Sequence, residues 1–169
     1  ALNLVGSAPA PVVIHDNRAQ TGAGGGIAVT GATTSVDAQN TRIYDNFATS
    51  AGGVDVRTGA SFTMERVGTD CVEPLECSTI SRNLLFARLE AGGHGGAISV
   101  TSGGSAAIFQ TYITGNDADE LGGIAYVNAA SLRIEGSMLY ANDAGSFGSL
   151  IDVAGGAQFV LAFSTTASN

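Results

Sequence analysis

Few side chains in this sequence are equipped for chemistry, and the carboxylates come first. Asp37, Glu65 and Glu135 sit in SVDAQ, SFTME and SLRIE, and Asp55 and Asp152 in VDVR and IDVA, each flanked by apolar residues. Carboxylates on neighbouring turns of a stacked chain either bind calcium or divide into the general acid and base of glycoside cleavage. If these stretches are stacked strands, Asp37 and Glu65 fall on adjacent turns and Arg133 joins the same file. These three are the catalytic candidates, against ordinary solvated surface. Asp55 and Asp152 share a row three turns apart, about 14 Å at sheet spacing, too far for one metal ion or one glycosidase pair. The aromatic residues form a second candidate set. Tyr44, Tyr112 and Tyr140 fall on one solvent face with Arg42 and Met138 beside them. Exposed rings with hydroxyls stack on sugars or form a protein contact surface; the strand propensity of aromatics is the competing structural account.

The elements that position these residues are announced by six asparagines in one frame. Asn17, Asn46, Asn83, Asn116, Asn142 and Asn169 end the segments VVIHDN, TRIYDN, STISRN, TYITGN, SMLYAN and STTASN, at spacings of 29, 37, 33, 26 and 27 residues. The first five are followed by glycines and a second apolar stretch: GGGIAV, AGGVDV, GGAISV, GGIAYV and GSLIDV. A unit recurring at roughly 20–50 residues signals a solenoid, and alternation without a helical period makes its elements strands. The expected fold is all-β: a single right-handed parallel β-helix over residues 1–169, with three strands per coil and five to six coils.

Inward residues follow from alternation: Ile14, Ile43, Ile80, Ile113 and Leu139 on the first strand, pairs such as Val54/Val56 and Ile98/Val100 on the second, and pairs such as Phe62/Met64 and Leu132/Ile134 on the third. The asparagines form a structural ladder, each amide bonding the one below and nearby main chain at a bend. The paired glycines allow positive φ and close backbone approach. Two insertions break the period, at about residues 68–77 and 84–95. Ala1 to Leu4 matches the strand that follows a glycine pair, and Asn169 sits at the ladder position of an unfinished coil. The chain is therefore expected to be a portion of a longer β-helix, stacked end to end on the rest.

Composition limits the partners. Hydrophobic residues are 44% and charged residues 13%, with a net charge of −8 and seven arginines that do not cluster. Nucleic acid and anionic membrane surfaces are not expected to bind, since both need a basic stripe. No apolar run is long enough to span a bilayer. Cys71 and Cys77 lie six apart in GTDCVEPLEC; they read as a disulfide staple, which implies an oxidising compartment, with two buried thiols as the alternative. A dinucleotide fingerprint fails because no helix pattern follows Gly22–Gly26, and with only two histidines a hydrolytic triad has few candidates. No cofactor and no metal site is read from the sequence.

Gly95-Gly96-Ala97-Ile98 (GGAI) and the recurring hydrophobic-x-x-Asn resemble the repeats of polymorphic outer membrane proteins and autotransporter-like bacterial surface proteins. In that family the second motif usually begins with Phe, whereas Ile43, Ile80, Ile113 and Leu139 stand here. The resemblance covers nearly the whole chain and implies an extracellular or cell-surface setting and an adhesin-like role, with carbohydrate or a host or neighbouring-cell surface protein as partner. It carries no catalytic residues. The alternative expectation is a polysaccharide-binding or polysaccharide-cleaving module of the pectate-lyase-like class.

Overall fold

The computed structural model describes residues 1–7, 10–20, 22–68, 78–85, 94–119, 121–145, 150–167 and 169. The chain is a parallel β-helix whose coils stack in sequence order, and every strand pairing is parallel. Sheet I stacks Leu2–Val5, Ser35–Gln39, Ser61–Glu65, Ser105–Phe109, Ser131–Glu135 and Gln158–Ala162. Sheet II stacks Val12–His15, Thr41–Tyr44, Thr79–Ser81, Tyr112–Thr114, Met138–Tyr140 and Thr165–Ala167. Sheet III is made of two-residue strands: Arg18–Ala19, Phe47–Ala48, Leu84–Leu85, Asp117–Ala118 and Asp143–Ala144. Sheet IV stacks Ile27–Thr30, Val54–Arg57, Ile98–Thr101, Ala125–Asn128 and Ile151–Ala154.

Each coil thus carries four strands rather than the three expected. The extra strand begins directly after the ladder asparagine and is too short to show alternation, though Ala48, Leu85 and Ala118 are fully buried. Leu2–Val5 also differs from expectation. It pairs with Ser35–Gln39, Leu2 opposite Val36 and Leu4 opposite Ala38, so it belongs to sheet I and not to the strand after the glycines. The second insertion is shorter than its expected span. Leu84 and Leu85 keep regular register with Phe47 and Ala48, and His94 bridges to Leu121, leaving 86–93 outside the described residues. Residues 69–77 lie outside them as well, and with them Cys71 and Cys77 and their expected disulfide.

One continuous core runs up the axis. Ile43, Ile80, Ile113 and Leu139 are fully buried in register, as are Val54, Ile98 and Ala125 on sheet IV. Stacking identical coil positions about 4.8 Å apart puts aliphatic on aliphatic in every file, which is why branched residues recur there. In the last coil the inward-frame residues Val153 and Leu161 are exposed.

The asparagine ladder is continuous. Nδ2 of Asn17, Asn46, Asn83, Asn116 and Asn142 donates to Oδ1 of the next asparagine at 2.9–3.1 Å. The same Oδ1 accepts the backbone N–H of the preceding ladder residue, as Asn116 Oδ1 does from Asn83 N at 3.1 Å. The left-handed backbone falls one residue earlier than the asparagine, on Asp16, Asp45, Arg82, Gly115 and Ala141, with φ of 51–62°. Glycine is required by proximity in these pairs: a Cβ on Gly96 would stand 2.5 Å from the backbone oxygen of Gly123.

A second ladder, which periodicity did not announce, stands at the corner between sheets I and II. Ser78 Oγ bonds Thr111 Oγ1 at 2.9 Å, and Thr111 N and Ser137 N donate to Ser137 Oγ and Ser164 Oγ at 3.1 Å. Its members lie five residues before ladder asparagines, where Thr41 also stands.

Candidate functional site

The strands of sheet II present two outward rows. One is Val13, Arg42, Thr79, Tyr112, Met138 and Thr165; the other is His15, Tyr44, Ser81, Thr114, Tyr140 and Ala167. Because the second row carries large rings at Tyr44 and Tyr140 and small hydroxyl residues between them, a trough forms along it. The rows three coil steps apart set its ends about 14 Å from one another. The groove encloses about 320 Å³ and is lined by Arg42, Thr79, Ser81, Arg82, Thr114 and Tyr140. Thr79 Oγ1 is committed to the carbonyl of Tyr112 at 3.1 Å.

Tyr44 does not itself line this groove but packs against two residues that do. Its ring stacks on His15 with centroids 5.0 Å apart and planes 8° from parallel. The guanidinium carbons of Arg42 and Arg82 lie 5.4 and 5.3 Å from its centroid. Each such contact contributes up to ~1 kcal/mol at an exposed site. Arg82 is clamped by Asp45, its Nε and Nη2 donating to the two carboxylate oxygens at 2.8 and 2.7 Å. That pair holds the Asp45 carboxyl below its ordinary range and raises the Arg82 guanidinium above its own. Arg42 has no such partner: its Nε is buried and, among the described residues, makes no hydrogen bond.

The structure divides the expected tyrosine face in two. Arg42 and Tyr140 line the groove just described, whereas Tyr112 and Met138 line a second groove of about 290 Å³ with Arg66, Ser137, Phe163 and Thr165. Arg82 and Asp45 are residues that sequence reasoning missed. Their signal was present: opposite charges stand directly before consecutive ladder asparagines, Asn46 and Asn83.

The carboxylate set is not assembled as expected. Asp37 pairs with Thr63, and Glu65 pairs with Gln39, so the two are displaced by two residues along adjacent strands. Arg133 shares the row of Asp37, through Thr63 and Ala107, three coils or about 14 Å away. Each is engaged elsewhere or alone: Glu65 accepts from Gln39 Nε2 at 3.0 Å, Arg133 pairs with Glu135, and Asp37 Oδ1 is buried without a hydrogen bond. A two-residue shift keeps a side chain on the same face, so hydrophobic alternation could not reveal it.

Asp55 also departs from an outward, solvated position. It is 2% exposed, Arg57 Nε lies 3.2 Å from its Oδ2, and burial pushes its carboxyl up while Arg57 pulls it down. Its row runs Asp55, Ser99, Tyr126, Asp152, and the ring of His94 lies 4.2 Å from that of Tyr126.

No family model, curated protein or solved structure matches this chain. The face offers an open trough of hydroxyls and guanidinium groups on a sheet whose spacing is set by the coil.

Proposed function

We propose that this protein is an extracellular or cell-surface β-helix that binds glycan chains along sheet II, as an adhesin-like surface element. The groove between Tyr44 and Tyr140 carries this reading. Ser81 and Thr114 make no hydrogen bond through their hydroxyls among the described residues, which leaves both donor and acceptor capacity facing the trough. Tyr140 supplies a flat apolar surface with a polar tip at one wall. Rigid strands hold these groups, so little conformational freedom is lost when a ligand settles. The resemblance to bacterial surface repeats supports the setting. The cleaving alternative loses support because Glu65 stands in a different row from Asp37, and Arg133, which shares the row of Asp37, is three coils away.

A glycan-array screen of the purified chain tests the proposal, with Tyr44→Ala and Tyr140→Ala as one variant and Tyr112→Ala and Met138→Ala as another. Binding that the first pair abolishes and the second pair leaves intact is the expected result. Retention by the first variant would remove sheet II's main groove as the site. Shortened oligosaccharide products would favour the cleaving reading.

A further inference from the structure

We infer that the sheet II groove selects an acidic sugar, whose carboxylate or sulfate is received by Arg42; this rests on the glycan-binding reading above. The two guanidinium groups at the Tyr44 end are chemically unequal. Arg82 spends two of its donors on Asp45 and is neutralised by it. Arg42 faces the same groove and the same ring with no carboxylate paired to it among the described residues. Its buried Nε makes no hydrogen bond there. A guanidinium with no acceptor of its own can meet a bound oxyanion through its outer N–H groups.

The surroundings favour one localised anion over a general polyanion. The chain carries a net charge of −8, so its long-range field repels anionic chains and leaves recognition to short-range groups. The planar fork of arginine matches a carboxylate or a sulfate with two parallel hydrogen bonds. Next to Arg42, Ser81 and Thr114 offer hydroxyls to the ring of the same sugar, and Tyr140 closes the trough. Asp45 is turned to Arg82 and does not compete for Arg42. The groove is thus polarised, with its uncompensated positive charge at the Tyr44 end.

The test reads Arg42 directly. Galacturonate, galactose 6-sulfate and galactose are titrated separately into the ¹⁵N-labelled protein, following the Arg42 Nε–H resonance, assigned by its loss in Arg42→Lys, and the Tyr140 ring. Saturable shifts of Arg42 with either anionic sugar, and none with galactose, are expected; which anion acts tells carboxylate from sulfate. Arg42→Gln should lower affinity for the anionic sugar about ten- to hundredfold. Equal Arg42 and Tyr140 shifts with galactose would overturn acid selection and keep the glycan reading. No response of either residue to any of the three sugars would overturn both.

Discussion

Replacing Asn83 with alanine removes a rung from the middle of the asparagine ladder, and its cost can be worked from four hydrogen bonds. Asn83 Nδ2 donates to Ile43 O at 3.0 Å and to Asn116 Oδ1 at 2.9 Å. Its Oδ1 accepts Asn46 N at 3.1 Å and Asn46 Nδ2 at 3.0 Å. Not all partners are orphaned by the change. Asn46 Nδ2 keeps the carbonyls of Ile14 and Tyr44, and Asn116 Oδ1 keeps the N–H of Asn83. The Asn46 N–H is left buried without this acceptor, which costs ~1–3 kcal/mol, and the two lost donations cost about 1 kcal/mol each. The sum is about 3–5 kcal/mol, or a fall in Tm of roughly 6–20 °C for a chain of this size. Asn17→Ala is the internal control, since Asn17 is exposed and its Nδ2 bonds only His15 O and Asn46 Oδ1. There water replaces what is lost, and ~0.5–1 kcal/mol is expected. Urea denaturation with hydrogen exchange at Asn46 N measures both, because a repeat array can open locally around one weakened coil. Equal costs for the two variants would refute the view that buried backbone satisfaction, rather than amide stacking as such, gives the ladder its stabilising effect.

Three further outcomes test other parts of the structure. Thr111→Val should cost ~1–3 kcal/mol in urea denaturation, because it strips buried bonds to Phe109 O and Ser78 Oγ from the hydroxyl ladder. Gly96→Ala should cost at least about 2 kcal/mol, since its Cβ would strike backbone atoms of Gly123 and Asp117 that no rotamer change can move. Asp55→Asn should raise Tm at pH 7 and leave it unchanged at pH 3. The folded carboxyl is pushed up mainly by burial, so its contribution is fully present below the unfolded value of about 3.9 and is lost as pH rises through the folded one. A lower Tm for this variant at pH 7 would mean that the Arg57 pair outweighs the burial.

What the sequence disclosed and what it withheld divide along a physical line. The files of Ile43, Ile80, Ile113 and Leu139 were legible because burial on one face imposes period two and the coil then repeats it. The ladder was legible for the same reason. Sheet III was not, because strands of two residues, such as Phe47–Ala48, have no period to detect. The hydroxyl ladder was hidden by its chemistry: serine and threonine interchange at Ser78, Thr111, Ser137 and Ser164, so no single letter recurs. Register was the sharpest failure. Asp37 and Glu65 stand on the same outward face in any register differing by two residues, and only the backbone pairing with Thr63 and Gln39 places them apart.

The candidate site follows from departures from the repeat, and this separates it from the scaffold. In the row running from Tyr44 to Tyr140, the coils that carry Ser81 and Thr114 are as well buried on their inner side, at Ile80 and Ile113, as those that carry tyrosine. The core therefore does not dictate the outward choice, and the trough arises because two consecutive coils carry small residues between large ones. The charge asymmetry has the same origin. Corner residues before the ladder asparagines share one backbone conformation, yet only Asp45 and Arg82 are oppositely charged on successive coils, which removes Asp45 as a partner for Arg42. Residues that carry stability are thus inward or at corners, those proposed for recognition are outward, and the two sets should respond to substitution separately. Arg42→Gln should leave Tm within about 2 °C of the parent, since the half-buried Arg42 makes no side-chain hydrogen bond among the described residues for the change to break. A larger fall would show that the Arg42 contact with Tyr44 belongs to the scaffold, and the groove would then be a by-product of packing.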